Sequence, residues 1–99
     1  MPLKNLDHET FEKLAGRFRA LSEVSRLRIV EALQRGEMSV SELVVKTGLN
    51  QPNVSRHLQV LHQVGLIGRR KDGTTTRYRI VDNTLSQICG LVCGSIRRK

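Results

Sequence analysis

Residues 51–61, QPNVSRHLQVL, place several side chains that can hydrogen-bond the edges of DNA bases within a few positions of one another. Gln51 and Asn53 each carry an amide that can bond adenine through two hydrogen bonds. Arg56 can do the same with guanine, and the hydroxyl of Ser55 can serve either base. His57 stands at the flank of this set as a further candidate for DNA contact; it either contacts a phosphate or braces the helix. The chemistry that these residue types favour is recognition of base edges rather than the making or breaking of bonds.

Apolar residues in the same stretch indicate how those polar groups are held. Val54, Leu58 and Leu61 recur at the spacing of one buried helix face, which leaves the polar side chains on the first two turns pointing elsewhere. In helix-turn-helix complexes these first turns enter the major groove. Ser41, on the preceding segment, is expected to contact a phosphate near the helix N-terminus. The alternative interpretation is a polar face that merely contacts solvent.

The segment before this helix carries strong local signals for a second helix. Ser39 with Glu42 three residues later forms the pattern of a capping box, which predicts a helix over residues 40–47. Gly48 is suited to the left-handed conformation that ends it, and Asn50 is suited to cap the next helix. Two helices joined by so short a turn are typical of a helix-turn-helix, in which the second helix is presented outward.

The rest of the chain predicts a fold that is mostly α with a β-hairpin wing, a winged helix-turn-helix in the order ααααββα. Asp72-Gly73 is a strong signal for a two-residue hairpin turn, with strand-like residues on both sides. Residues 1–99 are expected to form one domain. The remaining predicted helices are one of about 13 residues after Asp7, one over about 23–34, one that ends at Gly65, and one over about 83–97.

Basic residues cluster on the predicted hairpin. Arg69, Arg70, Lys71 and Arg77 are assigned to phosphate or minor-groove contact, which positions a protein on DNA without reading its sequence. Arg79 is a fifth cation in this segment. For Arg69 and Arg79 the alternative is that they pair with acidic groups across the strands or cover apolar surface.

Composition agrees with a polyanion-binding domain. The 99 residues contain 17 Lys+Arg and 9 Asp+Glu, which gives a formal net charge of +8, although such an excess can also serve solubility alone. The length argues against a multi-domain enzyme. No apolar run approaches the roughly 18 residues of a membrane span, and the first ten residues lack the apolar core of a signal peptide, so a cytoplasmic location is expected.

Three stretches resemble the ArsR/SmtB family of winged helix-turn-helix repressors. They are ALSEVSRLRIVEAL, SVSELVVKTGLNQPNVSRHLQVLHQVGLI and RRKDGTTTRYRI, and the resemblance extends over roughly residues 10–97. It implies a DNA-binding transcriptional repressor that acts as a homodimer. It also implies that the first and last helices, about 8–20 and 83–97, form the dimer interface.

The chain departs from the family pattern in its capping, its wing tip and its metal ligands. Glu23-Val24 replaces the usual Asp-Pro pair before the second helix, and KDGT forms the wing tip. The resemblance implies metal sites in some members, but this chain has Val44 and Val45 near the third-helix position. At the last-helix position it has Asp82 and no histidine after it. No metal site is therefore assigned.

A homodimer is expected on physical grounds as well, because one module this small provides limited affinity. The first and last helices carry more apolar residues than one core requires, notably Phe11, Phe18, Leu85, Ile88 and Val92. Two recognition helices about 34–36 Å apart would read a near-palindrome in double-stranded DNA with half-sites one helical turn apart.

Cys89 and Cys93 stand four residues apart on the predicted last helix, so they share a face. Three interpretations remain open: small side chains in a close helix contact, an inducer site for As(III), Cd(II) or Hg(II) with thiols added by the dimer mate, and a redox pair. A disulfide framework is excluded because these are the only cysteines. The three histidines are expected to have polar roles at the surface.

The leading hypothesis is a homodimeric repressor that binds operator DNA and is released by a thiol-reactive or thiophilic-metal signal. One alternative is a winged-helix protein-interaction module, but that would need exposed apolar anchors on the helix over 51–61. Another is a DNA-binding regulator without an inducer site. An enzyme is disfavoured because no acid-base cluster surrounds the two cysteines.

Overall fold

The computed structural model describes residues 5–98, which form five helices and one small antiparallel sheet. The elements in chain order are α1 (His8–Leu21), α2 (Val24–Leu33), β1 (Met38–Ser39), α3 (Val40–Thr47), α4 (Gln51–Gln63), β2 (Ile67–Asp72), β3 (Thr75–Ile80) and α5 (Thr84–Arg97). The predicted winged helix-turn-helix architecture is confirmed.

Local hydrogen bonds explain where the outer helices begin. The Asp7 side chain accepts from the backbone N–H of Thr10 at 2.9 Å, which caps α1 as predicted. α5 begins close to the predicted position, although Asn83 makes no side-chain capping bond. Asp82 instead accepts from the backbone N–H of Thr84 at 3.0 Å. Arg17 on α1 also contacts Asp82, at 2.7 Å between Nη1 and Oδ2, so α1 and the start of α5 are tied together.

The sheet has three strands rather than the two of a hairpin. β3 lies between β1 and β2, and β1 contributes the pairs Met38 with Tyr78 and Ser39 with Arg77. Two residues carry too little alternation to indicate a strand from sequence. The added strand connects the wing to the N-terminus of α3, since Ser39 is both the last residue of β1 and the cap of α3.

One hydrophobic core lies beneath the helix-turn-helix and the base of the wing. Its fully buried side chains are Ile29, Leu43, Val54, Leu58 and Leu61. Leu85 was expected among the surplus apolar residues of the last helix; it is instead buried in this core. Within the described residues, no helix is both long enough and apolar enough to cross a membrane.

Candidate nucleic-acid interface

The turn between α3 and α4 is fixed by the caps that the sequence predicts. The Ser39 N–H donates to Glu42 Oε1 at 2.9 Å, and the Glu42 N–H donates to Ser39 Oγ at 3.2 Å. Gly48 has a φ of 77°, a left-handed conformation that glycine adopts without strain. The Asn50 side chain then accepts from the Asn53 N–H at 2.9 Å and begins α4.

The outward face of α4 carries, in its first two turns, the residues predicted to read base edges. Gln51, Ser55 and Arg56 are exposed, and Asn53 is half-buried. Arg56 Nη2 donates to Asn53 Oδ1 at 2.7 Å, so these two side chains are held beside each other before any DNA is bound. Ser41 on α3 is also exposed. Val54, Leu58 and Leu61 face the core as predicted.

His57 is buried, although a surface position was predicted for the histidines. Its exposed fraction is 3%, so its side chain lies in the protein interior, as expected of a residue that braces the helix. Its Nε2 lies 3.1 Å from Glu23 Oε1, and its Nδ1 lies 3.4 Å from Arg26 Nη1. The residue lies next to the apolar positions of α4 around the helix. Its two partners, Arg26 and Glu23, lie 31 and 34 residues away in sequence, so no local spacing predicts these contacts.

The wing brings Arg70 and Arg77 directly opposite each other across β2 and β3. Two like charges in this arrangement repel. Glu37 relieves the repulsion: Arg70 Nε lies 3.0 Å from both of its carboxylate oxygens, and Arg77 Nη2 donates to its backbone carbonyl at 3.2 Å. Arg77 Nη2 also donates to Glu42 at 3.1 Å. These contacts hold the pKa of Glu37 below its usual range, chiefly through the hydrogen bond from Arg70.

The other two predicted wing contacts, Arg69 and Lys71, are exposed and lie on the opposite face of the hairpin from Arg70. Among residues 5–98, neither side chain has an ion pair. Arg79 Nη1 lies 3.9 Å from Glu37, which agrees with the acidic pairing considered for it. Glu37 is the part of the wing that sequence reasoning missed, because it precedes β1 and is 33 residues from Arg70.

A second surface feature is an apolar groove between α1, α2 and α5, with a volume of about 650 Å³. Phe18, Val92 and Ile96 line it and remain 47%, 52% and 67% exposed, respectively. Leu21, Val24 and Leu27 also line it. An open apolar surface of this kind is typical of an interaction site.

Both cysteines line the groove and are free thiols. Cys89 is half-buried and packs against the core, whereas Cys93 is exposed. Burial raises the pKa of the Cys89 thiol, and the neighbouring Cys93 raises it further. Within residues 5–98, no group of three or more His, Cys, Asp or Glu side chains could hold a metal ion.

Comparison with known proteins agrees with this geometry. A profile of the family described as "Bacterial regulatory protein, arsR family" matches residues 23–68. An uncharacterized HTH-type transcriptional regulator of Methanocaldococcus jannaschii is 36% identical over 85% of this chain and 96% of its own length. A probable mercury resistance operon repressor of Streptomyces lividans is 37% identical over 72% of this chain, which spans 57% of that protein.

A solved structure extends the agreement to three dimensions. The homodimeric winged helix-turn-helix DNA-binding domain of a possible ArsR-family regulator from Mycobacterium bovis has a TM-score of 0.80 and 29% identity, covering 96% of this chain and 90% of that one. The relatives are transcriptional regulators rather than enzymes. The chain therefore belongs to the arsR family of bacterial regulatory proteins and is a transcriptional regulator with a winged helix-turn-helix DNA-binding fold.

Proposed function

We propose that the protein is a homodimeric repressor that binds a near-palindromic operator in the cytoplasm, with one α4 helix in the major groove of each half-site. The observation that carries this proposal is the outward face of α4, where amide, hydroxyl and guanidinium groups are exposed on a helix anchored by three buried apolar residues. An interaction module would present apolar anchors at these positions, and α4 presents none there.

The base contacts are assigned to Gln51, Asn53, Ser55 and Arg56. The hydrogen bond between Arg56 and Asn53 supports their acting together, because it fixes the relative position of an adenine-reading and a guanine-reading group. Ser41 contacts a phosphate at the groove edge. His57 has no place in this set, since it is buried.

The wing cations divide into two groups with different roles. Arg69 and Lys71 are exposed and contact phosphates. Arg70 and Arg77 are committed to Glu37 and Glu42, and their role is to hold the wing against the start of α3. Both groups support binding, but only the group without ion pairs, Arg69 and Lys71, contributes substantially to its salt dependence.

The dimer is assigned to the apolar groove, with α1 and α5 of one chain packing on the same elements of a second chain. The exposed Phe18, Val92 and Ile96 support this assignment, and the M. bovis neighbour is itself homodimeric. The single substitutions Val92→Glu and Ile96→Glu should give monomers in sedimentation velocity. Val45→Glu is the matched control, because Val45 is exposed on α3 and lies outside the groove. A persistent dimer in both groove variants would contradict the assignment.

The operator is tested by selection from a random duplex library with the purified protein. The proposal expects enrichment of a near-palindrome with half-site centres about 10 base pairs apart. The double variant Gln51→Ala/Arg56→Ala should lose that preference and retain weak binding to all sequences. Enrichment of a single half-site, or an unchanged motif in the double variant, would count against the proposal.

We further propose that thiol chemistry at Cys89 and Cys93 releases the operator. Their position in the groove supports this, because a thiophilic ion bound there would repack the dimer interface. The relative named as a mercury resistance repressor is consistent with such a signal. Operator affinity should fall when Hg(II) or an oxidant is added to reduced protein, and Cys89→Ser and Cys93→Ser should abolish that response. Equal affinity in every condition would leave a regulator without a thiol signal.

A further inference from the structure

One buried polar side chain in the described chain has no role in reading DNA. Ser39 and His57 are the buried polar residues among residues 5–98, and Ser39 is used by the capping box. His57 lies on α4, one position after Arg56, yet it points into the protein. Burying an imidazole costs free energy unless both ring nitrogens find partners.

The partners of His57 fix its protonation state. A carboxylate only accepts hydrogen bonds, so Nε2, 3.1 Å from Glu23 Oε1, carries a proton and donates. A guanidinium only donates, so Nδ1, 3.4 Å from Arg26 Nη1, is the acceptor. Both contacts are satisfied by the neutral imidazole with its proton on Nε2. A second proton, on Nδ1, would face the N–H groups of Arg26.

The same contacts attach α4 to the corner between α1 and α2. Arg26 Nε donates to the Ala20 carbonyl at 2.6 Å, and Arg26 Nη1 lies 3.3 Å from the Glu23 carboxylate. Glu23 precedes α2 but makes no capping bond with its side chain. Replacing the family's Asp-Pro pair with Glu23-Val24 therefore does more than remove a cap, because the Glu23 carboxylate contacts His57 on α4. Leu21 and Val24 in this corner line the apolar groove.

We propose that His57 is a positioning residue for operator binding: the neutral imidazole fixes α4 against the α1–α2 corner, and its protonation releases the helix and lowers operator affinity. The proposal rests on the operator binding proposed above. In this proposal His57 touches no DNA and acts through the orientation of the outward face of α4.

Charges around the ring determine the direction of the pH effect. Glu23 and Arg26 face it from the α1–α2 corner, and Arg56 faces it from α4. Burial lowers the pKa of His57 below its ordinary value of 6.5; Glu23 opposes that shift, while Arg26 and Arg56 add to it. Because the folded-state pKa lies below the unfolded one, the stabilisation is complete above pH 6.5 and is lost as the pH falls towards the folded-state pKa.

The test measures affinity for the selected duplex by fluorescence anisotropy at constant ionic strength from about pH 5 to pH 8, the range in which histidine titrates. Wild-type affinity should fall on acidification, by at most about tenfold per pH unit for one linked proton. His57→Gln retains an N–H donor and an acceptor but cannot be protonated in this range, so it should bind well at pH 8 and give a flat profile. His62→Gln, a half-exposed position on the same helix, should keep the wild-type profile.

A third variant separates positioning from folding. His57→Leu fills the space but leaves Glu23 and Arg26 without their ring contacts, so the ratio of operator to random-duplex affinity should fall about tenfold at every pH. Circular dichroism melting reports whether it folds; if it does not, His57→Gln remains the deciding variant.

An unchanged pH profile in His57→Gln, or a flat profile in the wild type, would overturn the proposal. So would nitrogen NMR that shows a protonated His57 ring in the folded protein at pH 7. Failure of the wild type to bind any duplex at pH 8 would instead count against the proposed function, and the NMR titration would still decide the state of the ring.

Discussion

Replacing Lys71 with alanine should reduce DNA affinity and its salt dependence more than replacing Arg70 with alanine does. Both residues lie on β2, one position apart, and both carry one positive charge. Both side chains are exposed, but they differ in their partners: Lys71 has no ion pair among the described residues, whereas Arg70 Nη2 lies 2.8 Å from the Glu37 carboxylate. A cation that is already neutralised within the protein displaces few counterions from DNA.

The magnitude follows from counterion release. One phosphate contact contributes about 0.9 to the slope of log affinity against log salt concentration, so Lys71→Ala should flatten the slope by about 0.9. Between about 50 and 200 mM salt, this corresponds to a roughly 3.5-fold smaller loss of affinity. Arg70→Ala should flatten the slope by less than about half a unit, because it removes the ion-pair partner of Glu37 rather than a phosphate contact.

The assay is anisotropy titration of the selected duplex at several salt concentrations. Glu37→Gln serves as the converse variant: it frees Arg70, Arg77 and Arg79 from a shared carboxylate and should steepen the slope. If Arg70→Ala flattens the slope as much as Lys71→Ala, the arginine exchanges Glu37 for phosphate on binding, and the division of the wing into two groups is wrong.

Three further outcomes follow from the described contacts. Arg56→Ala should lose about 1–3 kcal/mol of discrimination at one base pair per half-site, measured by competition with point-substituted duplexes, while random-duplex affinity changes little. Ser39→Ala should lower the free energy of unfolding by about 1 kcal/mol in urea, because it removes the α3 cap; Ser41→Ala, at an exposed position in the first turn of α3, should not. Asp82→Asn should remove a part of the stability that depends on acidic pH. The hydrogen bonds from Thr84 and the charge of Arg17 lower the pKa of Asp82 below its ordinary value of 3.8. The stability that this group contributes to the wild type is therefore present above pH 3.8 and is lost as the pH falls through the lowered pKa. Melting curves of the variant should show a weaker dependence in that acidic range.

Local signals made the helix-turn-helix predictable. The capping box at Ser39, the left-handed Gly48 and the cap at Asn50 are interactions between residues at most four apart, so their spacing is visible in the sequence. The buried face of α4 is equally visible, because a helix repeats its environment every 3.6 residues. These features place the side chains proposed to read bases without any knowledge of tertiary contacts.

Long-range contacts were not predictable in the same way. Glu37 reaches Arg70 across 33 residues, and Glu23 reaches His57 across 34. Each pair forms only because the fold brings two segments together, so no spacing rule indicates it. Leu85 illustrates the same limit for apolar residues, since periodicity shows that it faces inward but not whether the surface it meets is its own core or another chain.

The central claim, that α4 reads base edges in the major groove as one of a pair, is tested most directly by dimethyl sulfate protection of the selected duplex. The reagent methylates guanine N7 in the major groove and adenine N3 in the minor groove. The account predicts protected guanines in two clusters about 10 base pairs apart, with that protection lost in Arg56→Ala. Protection confined to adenines of the minor groove, or guanine protection unchanged in Arg56→Ala, would contradict it.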